Sequence, residues 1–236
     1  MYIKLIILML FFTCNINTAE NESSKKKIES IIEKYILENP EIIIESLERF
    51  TVSQKEKEQE GIVNILNNFY EKKEYLKLPS IGNKKNELII VEFIDYNCGY
   101  CKKTLPIIAK LMKNFENIQI IFVDYPILSE TSEIAARASL AAHEQKAYFK
   151  YHAILLNNSK SINEDYVYEV AQDLGLDIQK FKKDMESKKI KNNIINNIKL
   201  ARSLKIRGTP TFIIRDQILP GAYEYDKLEK IIMDNS

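Results

Sequence analysis

The chain has 236 residues, 45% of them hydrophobic, enough for one well-packed domain plus an accessory element. This composition excludes a disordered, collagenous or coiled-coil protein, and the abundance of lysine, isoleucine and asparagine reads as coding bias. A formal net charge of +1 gives no reason to expect nucleic acid or an anionic membrane as partner.

Residues 1–19 read as a secretory signal peptide. Lys4 precedes an unbroken apolar run from Leu5 to Phe12, and the segment ends on the small residue Ala19. The run is far shorter than the roughly 20 residues that span a bilayer, which disfavours a retained anchor. Asn17, at the minus-three position, departs from the small-residue rule and leaves the cleavage site open. Cys14 falls inside this segment, so an exported form keeps only Cys98 and Cys101. One closely spaced pair is not the framework of a disulfide-stapled scaffold. A lipid on Cys14 is the alternative, but Phe11, Phe12 and Thr13 do not follow a lipoprotein pattern.

Residues 20–77 read as an N-terminal helical arm. Ile28, Ile31, Ile32, Tyr35 and Ile36 recur at three and four residues, the period of one helix face. Asn39-Pro40-Glu41 predicts a new helix, with Asn39 as N-cap and Pro40 at its first position. Ile43, Leu47 and Phe50 continue the stripe, Ser53 to Glu60 is polar on every side, and Ile62, Ile65, Leu66, Phe69 and Tyr70 resume it. A stripe of this size exceeds what a free helix pair can bury. Self-association through residues 24–75 and docking on the chain's own core are the two outcomes it allows.

The core, residues 78–236, gathers near Leu88. Leu88 to Val91 with Phe93 and Ile94 predicts a buried central strand. Asn97-Cys98-Gly99-Tyr100-Cys101 follows and opens a helix carrying Leu105, Ile108, Ala109, Leu111 and Met112. Ile118 to Val123 predicts a second strand, parallel to the first if the helix is the crossover. Residues 129–204 are helical in period, with a loop at Asn157 to Asn163, a helix start at Asn163 and a stop at Gly175. Phe212 to Ile214 and Gln217 to Leu219 predict a hairpin around Arg215-Asp216, and Tyr225 to Met233 a closing helix. This order gives an α/β class: a thioredoxin fold with an inserted helical domain, preceded by the helical arm.

Two cysteines separated by two residues at a strand-to-helix junction have a specific use. Three helical residues advance about 4.5 Å, which suits the roughly 4.4–6.8 Å Cα spacing of a disulfide. Cys98 falls at the helix start, where unpaired N–H groups and the helix dipole favour a thiolate. Cys101, one turn in and shielded, is placed to attack a mixed disulfide formed by Cys98. Inert buried thiols or half of a metal site are the alternatives. A structural zinc site wants four ligands, and His143 and His152 lie far off in the insertion, so no metal site is expected. Pro106 should kink the helix. Gly208-Thr209-Pro210-Thr211 offers a cis proline or an ordinary turn.

These motifs resemble the DsbA-like branch of thioredoxin-fold proteins: Glu92-Phe93 through Cys101, Pro106 and Gly208-Thr209-Pro210. The resemblance extends through Asp124 to Leu128, Ala135 to Ala138, Tyr148 to His152 and Pro220-Gly221-Ala222, across about residues 80–236. It implies a periplasmic thiol–disulfide oxidoreductase acting on exported proteins, with no cofactor beyond the cysteine pair and with a membrane redox partner. It also implies Cys98 as nucleophile, Cys101 as resolving thiol, Pro210 as a cis proline, and Thr209 as a backbone site for extended substrate. Glu92 matches the family's buried acid; proton relay to Cys101 and a salt-bridged strand residue both stay open for it. The histidines read as structural. Gly99-Tyr100, with threonine before the proline, resembles the isomerases rather than the strongest oxidants. Tyr35 to Glu41 resembles the oligomerising N-terminal helices of suppressor-of-copper-sensitivity C proteins. Disulfide formation and disulfide shuffling are both allowed, and a copper(I)-handling module with two thiolate ligands is the alternative from another class.

Overall fold

The two apolar runs lie side by side at the centre of a five-stranded sheet. The computed structural model describes residues 22–82, 88–158 and 162–235; the expected signal peptide, with Cys14, lies outside them. The chain divides into two compact units, Met1–Glu60 and Gly61–Ser236.

In the first unit, helix α1 covers residues 22–38 and α2 begins at Glu41, continuing as one helix to Glu71. The break falls at Asn39-Pro40 as the sequence predicts, but the Asn39 side chain is used differently. Its amide donates to the Tyr35 carbonyl at 2.8 Å and closes α1, while its backbone carbonyl accepts from the Ile42 N–H at 3.2 Å. The polar stretch from Ser53 to Glu60 is uninterrupted helix. Ile28, Ile31, Ile32, Tyr35, Ile43, Leu47 and Phe50 are all exposed.

The second unit holds the sheet, in the order β1-β3-β2-β4-β5. Strand β1 is Ser80–Gly82, β2 Leu88–Ile94, β3 Ile118–Asp124, β4 Thr211–Ile214 and β5 Gln217–Pro220. β2 and β3 are parallel, joined through helix α3 (Gly99–Asn114); the other pairs are antiparallel. Alternate residues of β2 feed opposite faces. Leu88 and Ile90 pack with Ile108 and Leu111 of α3 and with Leu228 and Ile232 of the last helix. Val91 and Phe93 pack on the other side with Leu66, Phe69, Ala201 and Leu204. Both faces are therefore covered, and the strands read as near-continuous apolar runs.

β1 escapes the sequence pattern because it is three residues long and ends on glycine. Gly82 has φ +93°, and a Cβ there would sit 2.4 Å from the Ile118 carbonyl; only glycine allows that approach. Between β3 and β4 the described residues form five helices: α4 (Glu130–His143), α5 (Tyr148–Asn157), α6 (Glu164–Asp173), α7 (Ile178–Met185) and α8 (Lys188–Ser203). Side chains of Ser129, Asn163, Asp177 and Ser187 cap α4, α6, α7 and α8. Gly175, at φ +69°, ends α6 where the sequence places a stop. Arg215 takes φ 58° in the β4–β5 hairpin, and α9 (Tyr225–Asp234) closes the chain.

The expected arm boundary near residue 77 cuts through this second unit. Leu66 and Phe69, near the end of α2, are buried in the core.

Candidate active site

The carboxyl end of β2 and the start of α3 are held together by a buried aspartate. One Asp95 oxygen accepts from the Asn97 N–H at 2.8 Å and the Ser132 hydroxyl at 2.7 Å. The other accepts from the Ile127 and Leu128 N–H groups at 2.8 and 3.0 Å. The Asp95 backbone carbonyl takes the Cys98 N–H at 3.0 Å. Asn97 adds side-chain bonds to Ser129, Thr131 and Ser132, each 2.9 Å. The cysteine loop is thus tied to the start of the helical insertion. Sequence reasoning missed Asp95; its only signal is an Asx residue just before a helix start.

Cys98 is the N-cap residue of α3 and Cys101 lies in its first turn. Both are free thiols, 7% and 0% exposed. The Cys98 Sγ accepts from the Cys101 N–H at 3.4 Å, and its thiol donates to the Thr209 carbonyl at 3.1 Å. The hydrogen bond from the Cys101 thiol, with further bonds from Thr209 and the Cys101 and Tyr100 backbone, outweighs burial and lowers Cys98 to about 6. Burial, and then the thiol bond to Cys98, push Cys101 far up. One sulfur is therefore a thiolate at neutral pH while the other keeps its proton. Tyr100 is 62% exposed and brings no charge to Cys98.

The Thr209-Pro210 bond is cis. Its loop is pinned by the Thr211 hydroxyl donating to the Gly208 carbonyl at 2.8 Å and by the Gly221 N–H donating to the Pro210 carbonyl at 2.8 Å. The bond between the Cys98 thiol and the Thr209 carbonyl sets this loop against the cysteine pair.

Glu92 is 1% exposed, opposite Phe122 and Phe212 in the sheet. Its partner among the described residues is a hydroxyl rather than a cation: Thr104 Oγ1 lies 2.7 Å from Glu92 Oε1 and 2.7 Å from the Cys101 carbonyl. A hydroxyl carries one proton. That proton goes to Glu92 Oε1 or to the Cys101 carbonyl, and as a donor to the carboxylate Thr104 favours the charged form of Glu92. Burial first, with a smaller push from Cys98 and against the Thr104 bond, raises Glu92 to about 7. Thr104→Val should then carry Glu92 above 7, and Thr104→Ser should restore it, as followed by the carboxyl infrared band across a pH titration. An unchanged midpoint in the valine variant would refute the bond.

His152 is buried, accepts or donates one hydrogen bond with the Tyr96 hydroxyl at 3.1 Å, and is lowered by burial to about 3. It stacks among Tyr148 and Phe149, and His143 contacts the Tyr148 ring; both are packing residues, as the sequence suggests. Among the described residues no group of three or more His, Cys, Asp or Glu is placed to hold a metal, and no helix is long and apolar enough to cross a membrane.

The family of DsbA-like thioredoxin domains matches residues 89–233, and the N-terminal domain of the copper resistance protein ScsC matches residues 25–58. A thioredoxin-like oxidoreductase from Silicibacter pomeroyi is similar at 34% identity, over 67% of this chain and 91% of that one, with a TM-score of 0.64. A linker-deletion mutant of ScsC from Proteus mirabilis is similar at 26% identity, over 89% and 94% of the two chains, TM-score 0.67. A probable disulfide bond formation protein D from Bacillus cereus is 24% identical over 67% of this chain and 78% of its own. Other curated relatives are far longer. The match to the Na(+)/H(+) antiporter NhaA 3 of Salinispora tropica, 23% identical over 74% of this chain, spans 26% of the antiporter's length.

Proposed function

The chain belongs to the family of DsbA-like thioredoxin domains, and on that premise we propose that it is a thiol–disulfide oxidoreductase acting on exported proteins through Cys98 and Cys101. The observation that carries this is the asymmetry of the pair: a Cys98 thiol lowered to about 6, chiefly by the hydrogen bond from Cys101, beside a Cys101 thiol with no exposed surface. In the reducing direction, the Cys98 thiolate attacks a substrate disulfide, forming a mixed disulfide and releasing one substrate thiolate. Cys101, having given up its proton, then attacks Cys98 Sγ, releases the second substrate thiolate and closes the Cys98–Cys101 disulfide. Oxidation of a substrate dithiol runs the same steps backwards. Glu92 takes the proton from Cys101, and the Thr209-Pro210 segment pairs with extended substrate. The resemblance of the region and the apolar start of the chain support export to the periplasm and turnover by a membrane redox partner.

The exposed stripe of the first unit supports a homo-oligomer. Such an assembly surrounds substrate with several Cys98 sites and keeps each from a partner oxidase, which favours shuffling over net oxidation. The test is sedimentation of the exported chain and of its Ile31→Glu/Leu47→Glu variant, both changes on exposed positions. We expect a wild-type oligomer, a monomeric variant, and a several-fold loss of isomerase activity on a scrambled substrate while Cys98 chemistry survives. A wild-type monomer at micromolar concentration would sink the oligomer and return disulfide formation to first place.

A further inference from the structure

A groove of about 620 Å³ begins at Gly99, the residue after Cys98, and runs between α3 and α5. Its walls are apolar, with Pro106 and Ala109 from α3 and Phe149 and Ala153 from α5, and Lys102 and Lys103 line it near the Cys98 end. From Gly99 to Ala109 the helix rises about 15 Å, room for roughly four or five residues of extended chain. The charge around the groove is one-sided. In a chain with 34 basic and 33 acidic residues, the charged side chains lining the groove are Lys102 and Lys103, and neither α3 nor α5 has a carboxylate. Lys102 gives one hydrogen bond to the Asn157 carbonyl at 3.1 Å, which leaves two of its three donors. Pro106 has no N–H of its own, and Pro106 and Ala109 are exposed positions of α3.

We propose that this groove is a substrate-specificity subsite that takes an extended polypeptide segment in which apolar side chains are flanked by carboxylates, next to the cysteine undergoing exchange at Cys98. The inference rests on the redox reading above and adds a substrate class to it. Apolar side chains fill the strip between Pro106 and Phe149, and the lysines attract the acidic flanks, raising the encounter rate.

The test uses the full exported chain with its cysteine pair oxidised, and three single-cysteine peptides. One carries leucine and glutamate on both sides of the cysteine, one leucine and lysine, one serine and glutamate. Reduction of the Cys98–Cys101 disulfide is timed for each, and each rate is divided by that peptide's rate with 2-hydroxyethyl disulfide to remove differences in thiol acidity. The leucine–glutamate peptide should be about tenfold faster than either of the others. Ala109→Phe fills an exposed groove position without touching charge, and should remove most of that advantage while leaving reduction by 2-mercaptoethanol unchanged. Lys102→Glu/Lys103→Glu should reverse the glutamate–lysine preference, an effect that fades with salt as the Debye length falls below about 10 Å. Equal normalised rates, or a preference untouched by Ala109→Phe, would overturn the groove and leave the redox reading standing. Failure of every peptide and of 2-mercaptoethanol to reduce the disulfide would overturn the redox reading itself. Ala109→Phe altering sedimentation instead of peptide rate would assign the groove to a second copy and also overturn the proposal.

Discussion

Cys98→Ser is expected to reduce exchange with protein disulfides to background, whereas Cys101→Ser should accumulate mixed disulfides held through Cys98. The difference follows from the two protons. With Cys98 at about 6 instead of its ordinary 9.0, about 90% of it is thiolate at pH 7, against about 1% for an unperturbed thiol. The intrinsic nucleophilicity lost over three pH units, at a Brønsted slope of about 0.4–0.5, is about 15- to 30-fold, so the net gain as attacking group is several-fold. The larger gain is in leaving: a mixed disulfide breaks readily at a sulfur of low pKa. Serine at 98 removes both roles, and Cys101 cannot substitute because burial keeps it protonated. Alkylation of the reduced chain should rise with a midpoint near pH 6 and label Cys98 first. Labelling of Cys101 before Cys98 would reverse the roles assigned here.

The same shift has a thermodynamic face. A folded-state value below the unfolded one means the reduced chain gains stability as pH rises from about 6 to 9, in full above 9, and loses it as pH falls through 6. The oxidised chain has no such thiolate, so the gap between the two redox states widens over that window and the disulfide becomes the stronger oxidant.

Much of this was legible in the sequence because burial on both faces writes a strand as a continuous apolar run. Leu88 to Ile94 and Ile118 to Asp124 carry that run, and the Cys-x-x-Cys pair follows the first of them at once. The Thr209-Pro210 motif was legible only as a fragment; its contact with Cys98 spans 111 positions and depends on β4 lying beside β2. Asp95 and Thr104 were not legible. Asp95 gathers the Asn97, Ile127, Leu128 and Ser132 donors from two chain segments, and Thr104 meets Glu92 only because α3 packs over the face of β2 that carries Glu92. The helical arm shows the limit of periodicity. Leu47 and Phe50 repeat like Leu66 and Phe69, yet the first pair is exposed and the second buried. Period marks an apolar face, and what covers that face is decided by residues elsewhere in the chain.

Glu92→Gln is the substitution that separates burial from proton transfer. In the folded chain Glu92 stands at about 7 against an ordinary 4.5, so it contributes stability in full below pH 4.5 and loses it as pH rises through 7. A gap of about 2.5 pH units corresponds to at most about 3 kcal/mol. Glutamine never ionises, and its amide oxygen can accept from the Thr104 hydroxyl as the Glu92 carboxyl does. The variant should therefore match the wild type near pH 4 and exceed it by up to about 3 kcal/mol at pH 8, measured by denaturant unfolding of the reduced chains. Asp124, raised to about 7 chiefly by burial, titrates in the same window, but it is present in both chains and cancels in the difference. In the oxidised chain the push from the Cys98 thiolate is gone, so the midpoint of the difference should fall. Stability gained should be matched by chemistry lost. With no carboxylate to take the Cys101 proton, resolution of the mixed disulfide should slow by about 100-fold, the lower end of what positioned acid–base groups contribute, while formation of the mixed disulfide by Cys98 stays within a few-fold. Parallel stability curves for the two chains would show that Glu92 does not titrate in this window, and an unchanged resolution rate would remove it from the proton path.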